Sequence, residues 1–242
     1  MRSGLITCAL VFGTLGLSPE LTRGGPSNGT SFSRPLLITN PFFPFPDQDM
    51  HLVKGMVGSA GTVELAEYAP RTRTFTWNGE TVETRTVFEW EFFFGLLLEA
   101  SANYYAQADD GSVYYFGEVV ATFGGAGGGD ELSWLVGGPT LPSDPEAALT
   151  AAAPALFMPG EPVVGSTWKP EDLAPLLEEV ATVLAMDQTV RCPFGQVDGC
   201  LLVHLASGEG DEHLKYFAPG MGEVLEHYPE ESFVLAGVAV LH

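Results

Sequence analysis

Glu89 and Glu91 are the residues whose type and spacing come nearest to catalytic machinery. Two positions apart on a strand, they share a face about 7 Å apart along it, a spacing two glycosidase carboxylates can use. Trp90 could stack on a sugar, but alternation turns it to the other side of the strand. The same pair also fits an ordinary solvated strand face. Elsewhere the spacing argues against chemistry. His51, His204, His213, His227 and His242 include no i,i+4 pair for a zinc-protease helix and no cysteine-histidine nucleophile pattern. Gly58-Ser59-Ala60-Gly61 lacks the spacing of a nucleophile elbow. The glycine run at 124–129 has no following Lys-Ser/Thr, and Asp130 and Glu131 would repel a phosphate.

Binding residues are easier to nominate. Trp90, Tyr105, Tyr115 and Phe116 are expected to supply the rings of a ligand site, although sequence neighbours on a strand face opposite ways. No cofactor is expected. Structural calcium is the one metal considered, through Asp109 and Asp110 or Asp130 and Glu131, because carboxylates are hard oxygen donors. Cys192 and Cys200 flank a turn-rich segment between two apolar runs, Thr189-Val190 and Leu201-Leu202-Val203. They are predicted to form a cross-hairpin disulfide if the chain reaches an oxidising compartment.

The N-terminus bears on that condition. Met1 and Arg2 precede the apolar run Leu5–Leu17, broken by Ser18-Pro19-Glu20, which has the layout of an export signal and is too short to span a bilayer. Residues 1–18 are read as the signal peptide, 19–37 as a flexible linker and 38–242 as one β-rich domain. The predicted location is extracellular or periplasmic. The 31 acidic against 10 basic residues give a net charge of -21, which excludes nucleic acid and an anionic membrane surface as expected partners.

The elements that must position these residues are mostly strands. Gly and Pro punctuate short apolar runs throughout. Asn78-Gly79 between alternating segments is a strong hairpin signal, and Asp109-Asp110-Gly111 marks another. Phe42, Phe43 and Phe45 lie in a proline-rich extended segment expected to dock on the core. Short helices are predicted at 144–153, which opens Asp-Pro-Glu, and at 171–186, where Leu173, Leu176, Leu177, Val180, Val183 and Leu184 fall near helical period. The expected fold is mainly β: a curved antiparallel sheet or half-barrel with one or two short helices, and candidate related halves at 38–140 and 155–242.

Three segments carry a resemblance: Thr39-Asn40-Pro41-Phe42-Phe43-Pro44, the Tyr-Ala-Gln to Tyr-Phe-Gly-Glu stretch over 105–118, and Tyr216-Phe217-Ala218-Pro219-Gly220-Met221-Gly222. Together they resemble poorly characterised exported bacterial proteins and lipoproteins that end in a Tyr-Phe-Ala-Pro-Gly-x-Gly hairpin. The resemblance implies a secreted β-rich fold and assigns no catalytic residues. The sequence thus points to an exported, non-enzymatic β domain that binds a small apolar or aromatic-compatible ligand or another envelope component. A secreted enzyme, either an acid-residue hydrolase or a barrel-type isomerase, and a purely structural or interaction protein are the alternatives.

Overall fold

The computed structural model describes residues 29–57, 60–123, 132–173, 176–207, 210–229 and 231–240. The segment read as a signal peptide, the glycine run, Asp130 and Glu131 lie outside them. A two-stranded ladder, β1 (Thr39–Asn40) and β2 (Phe43–Pro44), precedes the main sheet. The first meander is β3 (Asp49–Val57), β4 (Ala60–Trp77), β5 (Glu80–Phe93), β6 (Leu96–Gln107), β7 (Val113–Thr122) and the short β8 (Trp134–Val136). β9 (Leu149–Ala151) runs parallel to β8, and β10 (Ala155–Met158) pairs with β7. The second meander is β11 (Thr167–Leu173), β12 (Leu177–Cys192), β13 (Gly195–Ser207), β14 (Glu212–Ala218), β15 (Gly222–His227) and β16 (Glu231–Val240).

Antiparallel pairing of β16 with β3 joins the two meanders into one sheet. At the other end the Trp168 indole donates to the Phe157 carbonyl at 2.9 Å, tying β11 to β10 and so nearly closing the curl. The mainly β expectation holds, with β3–β8 and β11–β16 forming the two meanders while β10, from the later candidate half, pairs with β7 of the earlier one. Among the described residues there is no helix. The segment at 171–186 is the end of β11 and most of β12, because the hairpin with β13 satisfies its backbone and buries Ala181 and Val183 at strand period. At 144–153 the chain makes a turn, Ala148 N–H to Pro145 C=O, and then enters β9.

Turn chemistry fixes the register. Asn78 and Gly79 sit at φ 52° and 78°, the left-handed pair of a two-residue hairpin whose twist matches its strands. The proline-rich segment also docks as expected, burying Phe42 and Phe43. Its anchor is Asn40, whose Nδ2 donates to the Gly111 and Pro159 carbonyls while its Oδ1 accepts from Phe42 and Phe43 N–H. The stretch 29–37, expected as linker, is packed instead. Phe32 meets Tyr114, Phe116 and Trp77 edge-on, and the Arg85 guanidinium donates to the Leu36 carbonyl.

Asp109 accepts from Ser31 Oγ, Ser33 N–H and Ser33 Oγ at 2.7, 2.9 and 2.7 Å, pinning that stretch. Asp110 accepts from Ser112 N–H within its own turn. The two carboxylates proposed for calcium therefore organise a turn and its covering strap. Cys192 and Cys200 are free, buried thiols. Strand register separates them: Cys192 lies opposite Gly195 and Cys200 opposite Gln188, because the hairpin turns at Pro193-Phe194 rather than over the whole intervening segment.

Two outcomes test this packing. Arg73 and Asp144 form a bidentate pair, both contacts 2.8 Å, with side chains 5% and 2% exposed. Burial opposes the Asp144 charge, but Arg73 and the Leu141 and Thr140 amides outweigh it and hold the carboxyl below its ordinary value. Asp144→Ala should cost about 3 kcal/mol in chemical denaturation near neutral pH, because it strands a buried guanidinium. The cost should shrink as acid protonates the wild-type carboxyl. Separately, alkylation of the protein unfolded without reductant should label both Cys192 and Cys200, measured by peptide mass.

Candidate functional site

Alternation on the long strands sends one set of side chains into the curl. Residues 51 and 53 of β3, 64, 66 and 68 of β4, 87, 89 and 91 of β5, and 99, 103 and 105 of β6 all reach the lumen. The second meander contributes Glu179, Lys215, Phe217, Glu223 and Glu226 from across the way. Between them lies a cavity of about 360 Å³.

Its wall has two characters. Phe43, Tyr105, Tyr115 and Phe157 form an aromatic group, with Tyr105 stacked on Tyr115 at 4.7 Å and Phe43 and Phe157 edge-on to Tyr105 or each other. The remainder is acidic: nine glutamates line the cavity beside one lysine. Register places Glu64 opposite Glu91 and Glu91 opposite Glu99, so three strands carry carboxylates in one row. Like charges directly across a strand pair destabilise each other.

Lys215 brings the opposite charge to this wall. Lys215 Nζ lies 3.2 Å from Glu223 and 3.4 Å from Glu226. Burial works against the ammonium, but Glu223, Glu226 and Glu179 outweigh it and hold its pKa well above the usual lysine value. Glu64 is pushed well above the carboxylate range, first by burial and then by Glu89 and Glu223. Burial, countered by Lys215 and reinforced by Glu223 and Glu226, raises Glu89 to about 7. Burial also raises Glu223 and Glu179, with Lys215 pulling both back.

His213 Nε2 is 3.2 Å from Glu226. Burial, then Lys215, lowers its pKa to about 4, so near neutral pH the ring is uncharged and the contact is not an ion pair. A hydrogen-bonded chain crosses to the aromatic side. Asn103 Nδ2 donates to Glu89 Oε2 at 2.8 Å and to Ser101 Oγ at 2.9 Å, while its Oδ1 accepts from the Tyr115 hydroxyl. That hydroxyl also lies 3.0 Å from Glu118 Oε2.

Of the four rings nominated from sequence, Tyr105 and Tyr115 reach the cavity. Trp90 points outward and stacks on Phe88, and Phe116 is sealed against Phe32 and Phe75 on the opposite face. Glu89 and Glu91 do share a wall, as their spacing predicts. Glu64, Glu179, Lys215, Glu223 and Glu226 were not nominated; the alternation of Glu with apolar residues in β4 and β15 is the signal that carries them. Among the described residues, no group of three or more His, Cys, Asp and Glu is arranged to hold a metal.

No protein-family model and no curated protein matches the chain. One solved structure is similar over 82% of this chain and 98% of its own length, at 9% identity and a TM-score of 0.42. It is a protein from Bacteroides fragilis described as a candidate exported protein with a YmcC-like fold.

The raised Glu89 predicts a pH signature. A carboxyl whose folded pKa exceeds its unfolded value of 4.5 stabilises the fold below that value and loses the contribution as pH climbs to about 7. Glu89→Gln should therefore stabilise the protein by about 2 kcal/mol at pH 8, discounted for water in the cavity, with the difference from wild type vanishing below pH 4.5. Denaturant titrations across that range check it.

Proposed function

We propose that this chain is an exported, non-enzymatic β domain that holds a small organic cation, an amine with an apolar or aromatic body, in the lumen of its curled sheet. The export part rests on the Met1–Leu17 pattern and on the resemblance carried by the Asn-Pro-Phe-Phe-Pro and Tyr-Phe-Ala-Pro-Gly segments. The ligand class rests on one observation: a 360 Å³ cavity whose wall joins stacked aromatic rings to carboxylates in excess of its lysine.

The two parts of that wall ask for the two parts of one ligand. Ring faces attract a cation through their quadrupole and accept apolar surface. Carboxylates supply opposite charge in a site where water screens it weakly. An uncharged apolar ligand would make no use of the acidic wall, so the apolar ligand expected from sequence is narrowed to one with a positive end. Binding should also displace protons. Burial and neighbouring carboxylates disfavour the charge on Glu64 and raise Glu89 to about 7, and an arriving ammonium lowers the cost of ionising them.

A second reading uses the same lumen. Glu89, poised near neutrality and hydrogen-bonded by Asn103, has the properties of a general acid, which is what an acid-residue hydrolase would require. The binding reading is preferred because it uses the whole wall, where the hydrolase reading uses one carboxyl and a neighbour.

Isothermal titration with a panel of arylalkyl amines and their neutral alcohol counterparts tests the proposal. Amines should bind and alcohols should not. Affinity should rise from pH 5 to pH 8 as Glu89 gives up its proton, and Glu64→Gln with Glu89→Gln should weaken it about tenfold or more. Equal binding of amines and alcohols, or no binding of either, overturns the cation reading.

A further inference from the structure

The outer face of the first meander presents an unusual surface at one end. Three neighbouring hairpin tips or strand ends there carry large apolar side chains in water: Met56 at the end of β3, Phe94 and Leu96 at the β5–β6 turn, and Phe123 beyond β7. Their exposures are 51%, 70%, 70% and 46%. Register and backbone bonds put them at one level of the sheet. Met56 lies opposite Gly61, the Phe94 amide donates to the Gly61 carbonyl, and the Phe123 amide donates to the Leu98 carbonyl.

Phe94 is also strained. It adopts φ 51°, ahead of Gly95 at 77°, repeating the left-handed pair of Asn78-Gly79 with a bulky ring in the asparagine's place. A left-handed conformation costs a bulky residue about 1 kcal/mol or more. Asparagine or glycine would remove the strain. Here the turn instead holds a phenylalanine out into solvent, with its ring edge-on to Phe93 at 4.8 Å. The surface behind the tips is apolar too. Trp90 stacks on Phe88 with the side chains facing away from the lumen, and Leu65 and Val63 lie opposite Trp90 and Phe92 on β4. Among the described residues, Lys54 is the charged side chain on this outer face between the Phe88 row and the tips.

We propose that this apolar crest is a membrane-docking surface that inserts the β5–β6 turn, with Met56 and Phe123 beside it, into the interfacial layer of an uncharged, zwitterionic lipid surface. Charge and area select that occupant. The chain carries a net charge of -21, so an anionic bilayer repels it, and a second copy brings the same charge to meet it. Five strands at about 4.8 Å spacing, over the few residues between Trp90 and the tip, offer roughly 300 Å². A stable dimer needs about 800 Å² from each partner. Knobs on separate tips also suit a deformable lipid layer. Trp90 then sits above the tips, at the depth where indole rings favour the boundary between headgroups and acyl chains.

The experiment is flotation of the purified full-length mature protein with phosphatidylcholine vesicles, beside the same vesicles containing phosphatidylglycerol. Wild type should float with phosphatidylcholine and less with the anionic mixture. Phe94→Ser with Leu96→Ser, both exposed positions, should lose about tenfold or more of the binding with its thermal melt unchanged. Phospholipid brominated near the headgroup should quench Trp90 fluorescence, and Trp90→Phe should remove that quenching. No flotation of wild type, equal flotation of the variant, or stronger binding to anionic vesicles overturns the proposal. So does a sedimentation result in which wild type is a dimer that the double variant dissociates, because the crest is then a protein interface.

Discussion

The ladder between β16 and β3 is the interaction on which the rest depends. It pairs the last strand of the chain with the first long one, running from Glu231 opposite Val57 to Val240 opposite Asp49. Every other contact in the main sheet links strands close in sequence or closes its far edge. Each meander alone is a twisted ribbon with one face of its inner residues open to water. Joined through β16 and β3, the two ribbons curl until Lys215, Glu223 and Glu226 of the later meander face Glu64 and Glu89 of the earlier one across the lumen. The lumen is therefore a product of long-range pairing, and its closing entropy must be met before its contacts form.

That arrangement has an electrostatic consequence. Water around isolated hairpins would solvate the glutamates of β4, β5 and β15 separately. Enclosure removes much of that water and brings the carboxylates within range of one another. The fold accommodates them with raised proton affinity at Glu64, Glu89, Glu179 and Glu223 and with one lysine at the crossing point. An apolar lining at these positions would be more stable, since burying a charge costs several kcal/mol even after relaxation. A wall of raised proton affinity around an open volume is the feature that the proposed cation site would use.

Local turn chemistry was legible in the sequence; long-range register was not. Asn78-Gly79 and Asp109-Asp110-Gly111 identify their hairpins because only a few residues tolerate those backbone angles. The run from Leu173 to Leu184 misleads because leucines and valines spaced for a helix are equally at home on a strand that a partner hairpin holds extended. The cysteine pair misleads for a related reason. Its spacing identifies a hairpin, but Pro193-Phe194 sets the turn and offsets the two thiols. The acidic half of the cavity was missed because alternation reports two faces without saying which one is enclosed. On β5 the usual assignment, apolar inside, is reversed from Phe88 to Phe92.

That reversal places both proposed surfaces on a single stretch of chain. Phe88-Glu89-Trp90-Glu91-Phe92 sends its carboxylates to the lumen and its rings to the exterior, where nearer the Asn78 turn the same outer face is covered by Phe32 and its strap. A shift of one residue in pairing would exchange the two sets, putting carboxylates outside and rings in the cavity. Between the Asn78-Gly79 turn and the cavity the β4–β5 ladder shifts register at Ala69/Thr72, and the β5–β6 ladder shifts at Glu91/Phe92, so the Glu64–Glu91–Glu99 row is set by these irregularities together with the turns. Cavity chemistry and crest chemistry are thus set together by one pairing, that of β5 against β4. Neither surface can be altered by register without losing the other, which leaves side-chain substitution on one face as the way to separate them.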